Sequence, residues 1–179
     1  MSNSLIESLV RAAGFLIYRK NTAGQIEYLL LQVSYEPFHW TPPKGNFDAN
    51  LEKRPIIVIQ NVKLSLGPIL GHVDPGEDEW TAAIRETMEE AGIDVNKLRI
   101  HKEFMYEMRY LSKSTKYGEE QKKVTYWLAE STDPEVKVML SDEHQNWKWA
   151  ELKSALELAK FDEMKKLLNK AEMFIAENL

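Results

Sequence analysis

Residues 71–93 read GHVDPGEDEWTAAIRETMEEAGI, and the spacing inside that stretch decides the fold. Asp74-Pro75-Gly76 is a turn, and Glu77, Asp78 and Glu79 then place negative charge where a helix N-terminus carries partial positive charge. Trp80, Ala83, Ile84, Thr87, Met88 and Ala91 recur at helical spacing and predict one buried stripe. At about 100° per residue, Glu86, Glu89 and Glu90 fall together on the opposite face. Arg85 stands one turn before Glu89, where an ion pair steadies that carboxylate. Gly92 follows as a left-handed stop. Three carboxylates on one face repel each other, and on an arbitrary helix they form a solvated acidic surface about three times in four. The flanking glycines, the arginine and the spacing reverse those odds. A hard divalent cation such as Mg2+ neutralises such a cluster, because it prefers carboxylate and phosphate oxygens. The helix reads as a metal platform.

The composition narrows the class. With 44% hydrophobic residues over 179 positions, the chain can build one compact domain with a core. A formal net charge of −5 gives no overall attraction to nucleic acid or to an anionic membrane. The absence of cysteine excludes disulfides and thiolate metal sites and suits a reducing compartment. No apolar run approaches the roughly 20 residues needed to cross a bilayer. The opening MSNSLIESLV lacks the basic n-region of a signal peptide. A soluble, cytoplasmic monomer is expected, with no nucleic-acid and no membrane partner.

Along the chain, residues 1–9 read as a loosely held extension. RAAGFLIYR (11–19) and EYLLLQV (27–33) are β-prone runs joined by a Gly-containing turn, hence a hairpin, and LLLQV suggests a strand covered on both faces. The loop SYEPFHWTPPKG (34–45) is held extended by Pro42 and Pro43. Trp40 suits a lid on the core, and Lys44, beside a metal platform, suits a phosphate oxygen. LRIHKEFMYEMRYL (98–111) predicts one long strand, 112–121 a polar turn, and KKVTYWLAE (122–130) the strand that pairs with it. SDEH (141–144) is an acidic loop leading into a strand at 145–150 that carries Trp147 and Trp149 on one face. Residues 151–160 and 161–178 show helical periodicity, with Phe161, Met164, Leu167, Leu168, Ala171, Phe174 and Ile175 covering the sheet. This order predicts an α/β fold, a sheet layer between helices in a single domain over 1–179.

Gly71, Glu77, Arg85, Glu86, Glu89, Glu90 and Gly92 also fit the pattern G-x5-E-x7-R-E-U-x-E-E-x-G-U, with Thr87 in a usually aliphatic slot. Seven fixed positions at about 7% usage each match by chance roughly once in a hundred million windows. The pattern is the Nudix box. HWTPPKG (39–45), GHVDPGEDEW (71–80), KVTYWLAE (123–130), LSDEHQNWKW (140–149) and AKFDEMKKLL (159–168) further resemble the animal asymmetrical diadenosine tetraphosphate hydrolases, invertebrate members in particular. The likeness spans the chain except 1–9 and 46–70.

That resemblance implies a Nudix α/β/α sandwich with a mixed sheet between helices. It implies a small-molecule dinucleoside polyphosphate as substrate, split into ATP and AMP, with Mg2+ as cofactor and Mn2+ as a substitute. It matches Glu86, Glu89, Glu90 and the Gly71 carbonyl to metal ligands, and Glu143 to a further carboxylate that reaches the metals or the water. Lys44 and His39 match phosphate-side groups, Tyr110 and Phe161 an adenine clamp, and Lys122 and Tyr126 the lining of the same cleft. In relatives PPKG runs directly into HVDPGEDE, one glycine serving both motifs. Here Gly45 and Gly71 both stand in that place, as a translated intron splitting one glycine codon would leave them. Closing a longer loop costs only about 0.6 kcal/mol per doubling. Residues 46–70 are therefore expected to leave the domain as a poorly ordered surface excursion.

The chemistry follows from the residue types themselves. Hydrolysis of a polyphosphate is mostly positioning and charge neutralisation. Glu86 and Glu143 are the two candidates for the base that takes a proton from the attacking water. Glu86 is favoured because it projects from a rigid helix. Phe161 has two readings, a stacking platform or a core residue opening the last helix. A Nudix pyrophosphatase for another nucleoside polyphosphate and a non-catalytic dinucleotide-binding protein are the competing functions.

Overall fold

The computed structural model describes residues 10–45, 78–114 and 118–179, so the 1–9 extension, the 46–70 segment, Gly71 and Glu77 lie outside the described residues. β1 (Val10–Lys20) and β2 (Ile26–Val33) form the expected antiparallel hairpin, with Asn21 closing the turn through its own side chain. β3 (Trp40–Thr41) lies inside the Pro-rich loop and pairs with β2. The metal-platform sequence forms α1 (Glu79–Ala91), followed by β4 (Leu98–Ser114), β5 (Gly118–Ser131), β6 (His144–Ala150), α2 (Leu152–Leu158) and α3 (Asp162–Asn178). The sheet runs β3-β2-β1-β5-β4, with β6 also paired to β2. β1 and β5 are parallel and every other described pairing is antiparallel, so the sheet is mixed.

The two-sided burial of β1 and β2 sets the layers. Ala13, Phe15 and Ile17 face a core with Leu29, Leu31, Ala83, Ala91 and Trp149, under α1. Ala12, Leu16 and Tyr18 face the opposite core with Tyr28, Leu30, Tyr126, Leu128 and the α3 residues Met164, Leu167, Leu168, Ala171 and Ile175. Leu29, Leu30 and Leu31 have no exposed surface, as the unbroken apolar run predicts. Trp40 packs on the α3-side core as a half-buried lid. The result is an α/β/α sandwich.

Two expectations need correction. The polar stretch 112–121 is not all turn, because β4 reaches Ser114 and β5 begins at Gly118. β4 and β5 stay paired from Ser112–Glu120 to Ser114–Gly118, and the sequence there is polar, so no apolar alternation marks the strands. In α1 the buried residues are Ala82, Ala83, Glu86, Thr87, Glu90 and Ala91, so two of the carboxylates expected on the outer face lie inside. A stripe read from apolar residues alone cannot register a second element that covers the helix flank. Here the 39–45 loop does so, since the Lys44 amide donates to Glu90 Oε2 at 2.6 Å.

Gly14 makes that cover possible. It pairs with Lys44 across an antiparallel bridge, and the Gly45 amide donates to the Ala13 carbonyl at 3.2 Å. A Cβ at Gly14 would overlap the Pro43 carbonyl oxygen, which is backbone and cannot swing aside. Gly14→Ala should therefore cost about 1–3 kcal/mol by overpacking, read as a lower melting temperature. It should lower activity further than a core change of equal cost, such as Leu16→Val.

Candidate active site

α1 begins at Asp78, whose side chain accepts from the Thr81 amide at 2.7 Å, and stops at Gly92, which takes the left-handed conformation at φ 67°. Those caps fix the frame for Arg85, Glu86, Glu89 and Glu90. Arg85 Nη1 donates to Glu86 Oε1 at 2.6 Å and to Glu89 Oε2 at 3.1 Å. Glu89 remains partly exposed, whereas Glu86 and Glu90 are 4% and 3% exposed. Glu90 Oε1 is buried and has no hydrogen-bond partner among the described residues.

Opposite α1, the 39–45 loop brings Lys44, and β5 brings Lys122; both are buried. Glu143, in the turn before β6, is fixed through its carbonyl, which accepts from the Ser34 amide at 2.8 Å and the Ser34 hydroxyl at 2.9 Å. Burial pushes Glu86 up to about 7, with Glu89 and Glu143 adding to the rise and Arg85 opposing it. Burial also raises Glu90 well above the usual carboxylate range against the pull of Lys44. Lys44 falls by burial, although Glu90, Glu86 and Glu143 resist that fall. Lys122 falls to about 7 by burial and by the nearby Lys44 charge. Two cations and three carboxylates thus share one partly dry space. Such mutual perturbation is a mark of functional sites.

Among the described residues no three carboxylate or imidazole side chains converge into a finished metal cage. Arg85 holds Glu86 and Glu89, and the Lys44 amide holds one oxygen of Glu90. The donor set still fits a hard divalent cation, because the unpartnered Glu90 oxygen and its neighbours Glu86 and Glu143 are the hard oxygen donors such an ion takes. The Gly71 carbonyl lies outside the described residues.

An aromatic row borders this charge cluster. Tyr35 meets His39 at 6.0 Å between ring centroids and His39 meets Phe161 at 5.4 Å, both edge-on. Phe161 caps α3 and is 51% exposed, which removes its reading as a core residue. Phe161 stands against His39, and Tyr110 projects from β4 with its surface partly open, within electrostatic reach of Tyr35. Tyr126 has no exposed surface; its hydroxyl lies 3.4 Å from Thr41 Oγ1, so it supports the cleft from beneath.

Sequence reasoning missed two residues at the site. Partial burial and then the charges of Glu90 and Glu143 push the Tyr35 phenol up to about 12, which places it beside the carboxylates. His144 is 5% exposed, its Nε2 has no partner among the described residues, and Lys44 and His39 act on it. Its neighbour Glu143 drew attention to SDEHQ, and His144 stands in the same motif. Tyr35 lies four residues before His39 in an aromatic-rich loop, which is the one signal that could have found it.

The chain matches the NUDIX domain model over residues 9–171. It is 46% identical to an asymmetrical bis(5′-nucleosyl)-tetraphosphatase of Caenorhabditis elegans, over 94% of this chain and 98% of the relative. It is 39% identical to the Sus scrofa protein of the same name, over 93% and 95%. A crystal structure of a C. elegans Ap4A hydrolase binary complex superposes with a TM-score of 0.73 at 46% identity, covering 94% of this chain and 98% of that one.

His39 yields a pH prediction. Burial, then the charges of Lys44, Lys160 and Lys122, lower it from 6.5 to about 4, so the folded ring is neutral where the unfolded one protonates. Its contribution to stability is therefore intact above pH 6.5 and is lost as pH falls from 6.5 toward 4. The melting temperature of His39→Gln should decline less steeply than the parent's across that window.

Proposed function

The chain belongs to the NUDIX family, and from that premise we propose that it hydrolyses bis(5′-adenosyl) tetraphosphate to ATP and AMP, with Mg2+ as its resident cation. Members of the family generally need a divalent metal. When bound, such an ion offsets phosphate charge and acidifies a coordinated water. Glu90, Glu86 and Glu143 would hold it, with Glu89 at the exposed edge of the group.

The chain's own groups divide the remaining work. Lys44 and Lys122 receive the tetraphosphate, and their burial keeps competing water away from it. Glu86 accepts the proton of the attacking water at Oε2, the oxygen that Arg85 does not bind. Its place on a capped helix, buried between Arg85 and the charges of Glu89 and Glu143, suits it to that task. Water adds to the phosphorus nearest one adenosine, the bond to the next bridging oxygen breaks, and ATP and AMP leave. The neutral His39, with Phe161 and Tyr35, offers ring faces and edges to a base. Stacking of that kind does not read the base edge, so other purine dinucleotides should also be substrates.

The observation that carries this reading is the Glu90 carboxylate: buried, held at one oxygen by the Lys44 amide and unpartnered at the other among the described residues. Chromatography of products should show ATP and AMP in equal amounts and no ADP. Glu90→Gln should lose about 100-fold to 1,000-fold in kcat while keeping the parent circular dichroism spectrum. ADP as the main product, or a Glu90→Gln rate equal to the parent's, would overturn the reading.

A further inference from the structure

The carboxylate of Glu79, in the first turn of α1, collects four contacts from two strands. Arg11 of β1 donates through Nε at 3.1 Å and Nη2 at 3.0 Å to Oε1, and Lys123 Nζ of β5 lies 3.2 Å from the same oxygen. Thr125 Oγ1 of β5 donates to Oε2 at 3.3 Å. Lys123 also pairs with Glu107 Oε2 at 2.9 Å, and Arg109 holds the other Glu107 oxygen at 2.8 Å. Arg11 and Lys123 are register partners across β1 and β5, and Lys123 and Arg109 across β5 and β4. One charged row therefore crosses three strands and ends on α1. Burial alone would raise the Glu79 carboxyl, and Arg11 and Lys123 more than offset it, leaving the group below its ordinary value.

Glu79, Glu86 and Glu90 stand at i, i+7 and i+11, which is one line along the helix. A contact that fixes Glu79 against the sheet therefore fixes how far α1 is rotated about its own axis. With side chains reaching roughly 5 Å from that axis, a 10° rotation shifts a carboxylate by about 1 Å. A misplacement of that size costs on the order of a hundredfold in rate. We propose that Glu79 is a positioning residue: its contacts with Arg11, Lys123 and Thr125 set the rotation of α1 and so aim Glu86 and Glu90 at the bound cation and the phosphate chain. This rests on the metal-dependent reading of the site above.

Calorimetric titration of Mn2+ without nucleotide tests the proposal, alongside kinetics on the dinucleotide. Glu79→Gln should weaken Mn2+ binding about 10-fold or more, as loss of an outer support does. It should also lower kcat with KM unchanged, and Glu79→Asp should restore part of both. Arg11→Gln removes two of the four contacts and should move both quantities the same way, which decides the matter if Glu79→Gln does not fold. Glu130→Gln, which breaks the Arg99 pair at 3.0 Å on the same sheet, should change neither. Folded Glu79→Gln and Arg11→Gln proteins with lower melting temperatures but parental Mn2+ affinity and kcat would make the role purely structural and overturn it. Uptake of no Mn2+ by the parent would instead overturn the metal reading itself, before any variant is compared.

Discussion

The bond from the Lys44 amide to Glu90 Oε2 joins the two halves of the site, and the rest of the structure is arranged so that it can form. Gly14 lets the Pro43–Lys44 backbone lie directly on β1, and the Gly45 amide closes onto Ala13. The loop then covers the flank of α1, burying Glu86 and Glu90 with Lys44. Buried charges are costly, and their mutual attraction in a low dielectric only partly offsets the desolvation. A cluster of this kind is weak as a source of stability. Its retention at the junction of loop and helix is better explained by what those charges bind.

The sandwich supplies the rigidity the cluster needs. β1 and β2 are buried on both faces, so α1 rests on one core and α2 with α3 on the other. Phe15, Trp80 and Trp127 pack edge-on at 5.7 and 5.1 Å under the first turn of α1. On the far side, the Tyr28 hydroxyl donates to Glu172 at 2.6 Å and ties β2 to α3. α1 is thus braced by aromatic packing below and ionic contacts at its start. Phe161 and His39 come together because the α3 N-terminus abuts the Pro-rich loop.

Much of this was legible in the sequence. The helix, its N-terminal charge, its Gly92 stop and the Arg85–Glu89 pair all follow from residues 71–93, and the unbroken apolar runs gave the central strands. The inward placement of Glu86 and Glu90 was not legible. Helical periodicity reports which residues are apolar, and a second element that encloses a polar flank leaves no trace in it. The contact network of Glu79 escaped for a related reason: its partners sit 68 and 46 positions away, and no local pattern joins them. His144 and Tyr35 stood in motifs already singled out, but an imidazole that opens a strand or an aromatic ring in a loop looks like packing until its neighbours are known.

The central claim is that Glu90, steadied by the Lys44 amide, presents its second oxygen to a divalent cation. Anomalous diffraction at the manganese edge, from crystals grown with Mn2+, tests it directly. The account predicts a peak in contact with Glu90 and its neighbour Glu86. A fully occupied manganese elsewhere on the chain, with the Glu90 carboxylate left metal-free, would contradict it.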